Sequence, residues 1–183
     1  MIQKIRCKIQ GISPLLMHRF PMEPIEAFEK KTPEEQAEIS AYRIPGKKNL
    51  YIPSTAIQRC FIGAGVYSKG KRGAGLGKLV ASCVFVAPEY CDLGVSEFEV
   101  FSIPVVVPST KGRIIRHRPK LNAWETEFDI DFEDSLLNEI QLRKIVDDAG
   151  QLCGLLDFNP LHKGSYGRFI VVKWDKYKVK AKK

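Results

Sequence analysis

An α+β fold built on an antiparallel sheet is predicted by three features of this 183-residue sequence. Gln3 to Ile12 alternates Ile5, Cys7 and Ile9 with Lys4, Arg6, Lys8 and Gln10, the period of a strand with one face buried. Trp124 to Phe132 alternates again, with Trp124, Thr126, Phe128, Ile130 and Phe132 on one side and Glu125, Glu127, Asp129 and Asp131 on the other. Elsewhere apolar residues return at helical spacing, most clearly Leu136, Leu137, Ile140, Ile145 and Val146.

The remaining elements follow from local signals. Gly11 and Ser13-Pro14 end the first strand, and the run Leu15 to Phe20 leaves the sheet carrying His18 and Arg19. Thr32-Pro33-Glu34-Glu35 starts a helix to about Tyr42, because threonine caps free N–H groups, proline suits the first helical position and Glu35 reaches back to the cap. Pro45 to Asn49 is a basic turn with Lys47 and Lys48, Leu50 to Ile52 is a short extended piece, and Ser54 or Thr55 caps a second helix ending in Gly63 to Gly65.

Ser68 to Lys78 is aperiodic and rich in Lys, Arg and Gly, the composition of a flexible basic loop. Leu79 to Ala87 and Phe98 to Val107 read as buried strands separated by turns around Pro88 and Gly94. After a basic segment, Lys111 to Lys120, and the alternating strand, a last helix spans Ser135 to Ala149, with Gly150 placed to stop it in a left-handed turn. A closing strand covers Phe169 to Trp174. The order strand, helix, strands, helix, strand is compatible with a ferredoxin-like or RRM-like sheet that carries helices on one face and leaves the other free. One domain over residues 1–175 and a fraying basic tail over 176–183 are expected.

With 44% hydrophobic residues the chain has the material for a core without metal or disulfide staples. Lys and Arg number 29 against 21 Asp and Glu, a net charge of +8, which favours a polyanionic partner. No apolar run is long enough to span a bilayer, and the N-terminus has no signal-peptide core, so a soluble cytoplasmic protein is expected. Cys7, Cys60, Cys83, Cys91 and Cys153 are scattered without a C-x-x-C pair, so no disulfide framework, metal site or cofactor is expected, only small buried side chains in a reducing compartment.

The basic residues give the candidate nucleic-acid-binding set: His18, Arg19, Lys47, Lys48, Arg59, Lys69, Lys71, Arg72, Lys78, Lys111, Arg113, Arg116, His117, Arg118, Lys120, Lys163, Tyr166 and Arg168. Cations in such loops neutralise phosphates without selecting a sequence. Tyr51, Tyr67, Trp124 and Tyr166 are the aromatic candidates for base stacking, although Tyr51 and Trp124 suit the core better. Gly73 to Lys78 lacks P-loop spacing, with Arg at 72 and Leu at 79. The row Glu125, Glu127, Asp129 and Asp131 suits a neighbouring subunit's basic surface better than Mg²⁺. His18, His117 and His162 lie on separate segments, so phosphate contact or exposure is expected of them and no catalytic residue is assigned.

Three segments resemble landmarks of the RAMP superfamily, which includes the Cas7 backbone subunits of CRISPR effectors: Ile12-Ser13-Pro14-Leu15-Leu16-Met17, Tyr51-Ile52-Pro53-Ser54-Thr55-Ala56-Ile57 and Gly164-Ser165-Tyr166-Gly167-Arg168-Phe169. The resemblance implies a subunit that grips single-stranded guide RNA, stacks head to tail with copies of itself, meets other effector subunits and projects a thumb-like hairpin, for which Ser68 to Lys78 and Lys111 to Lys120 are the candidates. It also implies that Gly-Ser-Tyr-Gly-Arg brings backbone N–H groups and Arg168 to a phosphate. Type III relatives that cleave RNA use an aspartate where Phe20 to Phe28 here offers only Glu23 and Glu26, so a positioning and non-enzymatic role is expected. Two rivals carry the same signals: a viral or mobile-element single-stranded DNA-binding protein, and a Cas6-like endoribonuclease using His18 or His117.

Overall fold

The computed structural model describes residues 1–70, 73–106 and 111–177. In chain order its elements are β1 (Ile2–Gly11), β2 (Leu15–Leu16), α1 (Ile25–Glu29), α2 (Pro33–Ser40), β3 (Tyr51–Pro53), α3 (Ser54–Ala64), α4 (Gly77–Cys83), β4 (Val84–Ala87), β5 (Tyr90–Asp92), β6 (Glu99–Val106), β7 (Arg113–Leu121), β8 (Glu125–Glu133), α5 (Glu139–Asp148) and β9 (Phe169–Tyr177).

Strands β4, β8, β1 and β9 form a sheet in that order, each antiparallel to its neighbour. Counted along the chain these are the second, third, first and fourth strands of the sheet. Helices α3 and α4 connect the first strand to the second and α5 connects the third to the fourth, which is the ferredoxin-like arrangement of two split β-α-β units. Ile5, Cys7 and Ile9 of β1 and Phe128, Ile130 and Phe132 of β8 are buried in one core with Ile57 and Phe61 of α3 and Leu142, Ile145 and Val146 of α5. Full burial of each such side chain contributes about 1.5–3 kcal/mol. All five cysteines are buried free thiols, and burial pushes Cys7 and Cys91 up to about 12, so both remain uncharged at neutral pH.

A second sheet, β2-β7-β6, leaves the first at the Gly11 end of β1. Trp124 ties the two sheets together. It is buried, its indole N–H donates to the Ser13 carbonyl at 2.8 Å, and its carbonyl accepts from Gly11 at 2.9 Å. Gly11 is obligatory here, because a Cβ on it would stand 2.2 Å from Trp124 Nε1.

The capping box at Thr32 and Glu35 is present in both directions, 2.9 and 3.3 Å. Several elements differ from the sequence reading. Residues 77–83 are helical because Val80 and Cys83 share one buried helix face, and only Val84 onwards enters the sheet. Pro53 stands at the start of α3, with no side-chain cap from Ser54 or Thr55. Helix α5 begins at Asn138, whose own capping box with Gln141 outcompetes Ser135, and after Asp148 it continues through one π turn, Ala149–Cys153. The left-handed stop is Gly154, φ +69°; Gly150 serves close packing instead, since a Cβ there would lie 2.1 Å from the Phe169 carbonyl. Finally, β9 runs on to Tyr177, so Lys176 belongs to a strand and pairs with Glu139 at 3.3 Å; residues 178–183 of the expected tail lie outside the described residues.

Candidate nucleic-acid interface

The helix-free face of the main sheet is covered by its own ion pairs. Cross-strand partners share a face, so β1 sets Lys4, Arg6 and Lys8 against Asp131, Asp129 and Glu127 of β8, with Tyr177, Asp175 and Lys173 of β9 on the other flank. Lys4 meets Asp131 at 2.6 Å, Arg6 meets Asp129 at 2.9 Å, and Lys8 meets Glu125 at 2.7 Å. The Arg6 guanidinium also lies 5.3 Å from the Tyr177 ring centroid. The acidic row therefore has its counter-charges within the same chain. This corrects two expectations, that the row awaits a neighbouring subunit and that this sheet face stands free for nucleic acid.

Positive charge without internal partners gathers instead where β6 and β7 leave the core. Cross-strand pairing runs from Glu99↔Lys120 to Val106↔Arg113, which makes the predicted basic segment one strand of a hairpin. Its residues divide by depth. Lys111 and Arg113, at the outer end, are exposed and make no ion pair among the described residues. Arg116 is held by Glu29 at 2.9 Å with its guanidinium 5.5 Å from the Phe28 ring centroid. His117 shares a 2.8 Å hydrogen bond between Nδ1 and Ser102 Oγ. Lys120 lies 3.4 Å from Glu99 and 5.2 Å from the Phe101 centroid.

Arg118 is only 5% exposed and is ion-paired with Asp157, its guanidinium 5.3 Å from the Phe158 centroid. Burial, and then the charge of Arg116, lower its pKa to about 10, which leaves it cationic at neutral pH. Beside these residues His18 leaves β2 with an exposed edge, and burial of the rest of the ring followed by the charges of Arg118 and Arg116 push its pKa down to about 4. His18 borders His117 in one cavity and His162 in another, so the three histidines that are scattered in sequence gather around one corner of the fold.

The Gly-Ser-Tyr-Gly-Arg segment packs beside this corner for reasons of its own. A Cβ on Gly164 would lie 1.7 Å from the Phe158 carbonyl, and one on Gly167, φ +72°, would lie 2.0 Å from the Leu155 carbonyl. The glycines let the chain approach itself, not a phosphate, which corrects the role expected of them. The Arg168 backbone N–H donates to Ser13 Oγ at 2.9 Å and its carbonyl accepts from Ile12, so two of the three resembling segments are sewn together, while the Arg168 side chain stays exposed. Lys163 is exposed on a left-handed residue, φ +61°, and Tyr166 packs on Phe101 at 6.0 Å between centroids. Tyr51 sits edge-on between Tyr42 and Tyr90.

The other candidates lie apart. The structure brings Lys69 and Lys78 to the opposite end of the main sheet: Gly70, Gly75 and Leu76 border a cavity with Asp134 and Asn138, next to the β8 end that pairs with Ile2. Strand β1 separates the two basic regions by roughly 30 Å. Of the segment predicted as flexible, Gly70 N–H donates to the Ala74 carbonyl at 2.8 Å and Gly77 and Lys78 already belong to α4; Lys71 and Arg72 lie outside the described residues. Lys47 and Lys48 are exposed in their turn and Arg59 is exposed on α3. Sequence reasoning did not find the counter-charges Glu29, Glu99 and Asp157, or the apolar wall formed by Phe20, Ile25 and Phe28; exposed Phe20 and Met22 on either side of buried Pro21 are the signal for that wall.

No protein-family model matches the chain, and no curated protein does. Among solved structures, the fold is similar to a chain in the cryo-EM structure of the Type III-B Cmr-beta bound to cognate target RNA. The TM-score is 0.55 at 13% sequence identity, over 97% of this chain and 61% of that one. The present chain thus spans about three fifths of its structural neighbour, and the likeness is one of fold.

Proposed function

We propose that the chain is a single-stranded nucleic-acid-binding subunit of a CRISPR effector, Cas7-like within the RAMP superfamily, which positions RNA without cleaving it. The observation that carries the reading is the β6–β7 hairpin, where exposed Lys111 and Arg113 make no ion pair among the described residues and a partly apolar cavity opens beside it, with exposed Arg19, Lys163 and Arg168 on the neighbouring segments, while the main sheet face is charge-neutralised. Phosphates would take these cations, and the apolar wall would take bases. Support of a second kind comes from the shared fold with a chain solved in an RNA-bound Cmr complex. Basic regions at opposite ends of the sheet suit copies stacked head to tail along one strand.

Titrating fluorescent single-stranded RNA and DNA at several salt concentrations tests this directly. RNA binding with a steep salt slope is expected, and Arg113→Ala with Arg168→Ala should lower the slope by about one per phosphate contact removed. Preference for DNA would move the reading to a mobile-element DNA-binding protein, and no binding to either would overturn it.

A further inference from the structure

A cavity of about 320 Å³ opens between α1 and the β6–β7 hairpin. Its walls are Phe20, Pro21, Ile25 and Phe28 on one side and Val105 and Ile114 on the other. Phe20 is 71% exposed and Ile25 54%, more apolar surface than a finished contact leaves open. At the inner end stands Arg118, almost wholly buried, and its Nε has no hydrogen-bond partner among the described residues. An apolar slot closed by a buried, unsatisfied cationic donor is incomplete without an acceptor.

We infer that this cavity receives one unstacked nucleobase that presents acceptors to Arg118, guanine ahead of adenine. The inference rests on the nucleic-acid-binding reading above and deepens it from strand positioning to selection of a base. The volume sits at the small end of ligand pockets, and flat apolar walls with few polar groups are what a base requires. Guanine offers O6 and N7 side by side to a guanidinium, whereas adenine places a donor beside its N7. The mouth supplies the other half of a nucleotide. Arg19 borders the adjoining hollow that shares Phe20 and Pro21 with the slot, so a base inserted here leaves its phosphate on the side of a cation. A partner's apolar side chain would satisfy the walls and leave the buried guanidinium N–H unanswered.

The test compares three oligouridines, one unmodified, one with a single central guanine and one with a single central adenine, in binding to the full chain. The guanine oligomer should bind roughly five- to a hundredfold tighter than the adenine oligomer, the discrimination of one bidentate pair. Replacing that guanine by 7-deazaguanine should remove most of the advantage. Phe20→Ala and Ile25→Arg, both at exposed positions, should abolish it, so that each variant binds the guanine and adenine oligomers alike. Equal affinity for the two substituted oligomers, or a preference that survives both substitutions, would overturn the pocket while leaving the binding function intact. Failure to bind any of the three would overturn both together.

Discussion

Arg118 and Asp157 form an ion pair across the junction between the β6–β7 hairpin and the loop that leads to β9, with Arg118 almost fully enclosed and Asp157 half-buried. The pair fastens two segments that are far apart in the sequence. The Asp157 N–H also donates to the Leu16 carbonyl at 3.1 Å, so the carboxylate is delivered by a backbone already fixed to β2.

Asp157→Asn strands a buried guanidinium and should cost about 2–4 kcal/mol, less than for a fully buried pair because the carboxylate keeps some solvent contact. Replacing both partners, Arg118→Met with Asp157→Leu, should recover most of that loss because no unpaired charge remains. Urea unfolding of the three proteins measures both outcomes; equal stability of the single and double variants would refute the account. Charge reversal at Arg118 therefore probes folding before it probes binding.

Gly167→Ala should destabilise by about 2–4 kcal/mol, since it combines a left-handed backbone with a Cβ 2.0 Å from the Leu155 carbonyl. Gly46→Ala, at φ +75° with nothing within 4 Å, isolates the backbone cost and should lose only about 1 kcal/mol. Thermal denaturation of the pair separates crowding from conformation.

What the sequence disclosed and what it withheld follow from range. The alternation of Trp124 to Phe132 and the Thr32 capping box are written within a few residues, and both stand in the structure. Whether Leu79 to Cys83 is strand or helix depends on what Val80 and Cys83 pack against, which an apolar run does not state. Charge is visible in sequence and its neutralisation is not: Lys4, Arg6 and Lys8 look like a basic face until β8 is laid beside them. Gly164 and Gly167 looked like phosphate contacts for the same reason, because the carbonyls they approach belong to Phe158 and Leu155.

Those ion pairs lead to a contrast in binding. Lys8→Ala with Lys173→Ala removes two cations from a face that holds carboxylates in equal measure, so RNA affinity should change by no more than about twofold. Arg113→Ala with Arg168→Ala removes the same formal charge from the hairpin corner and should weaken binding about tenfold or more at moderate salt. Parallel titrations decide it; similar losses in both variants would mean that the main sheet face also meets the strand.

His18 gives the structure a pH-dependent stability. Its ordinary pKa of 6.5 falls to about 4 in the folded protein, through burial and then the charges of Arg118 and Arg116. Between those values the unfolded chain carries a proton that the folded chain refuses, so unfolding takes up a proton and stability falls as pH is lowered from about 6.5 towards 4. Above 6.5 neither state is protonated and this contribution is flat. His18→Gln keeps a polar side chain without the titration, so the variant should lose less stability than the parent between pH 7 and 5. Urea midpoints of the two proteins at both pH values give the comparison; because other groups titrate in each protein alike, the difference between them isolates His18, and identical losses would mean that its imidazole does not feel the two guanidiniums.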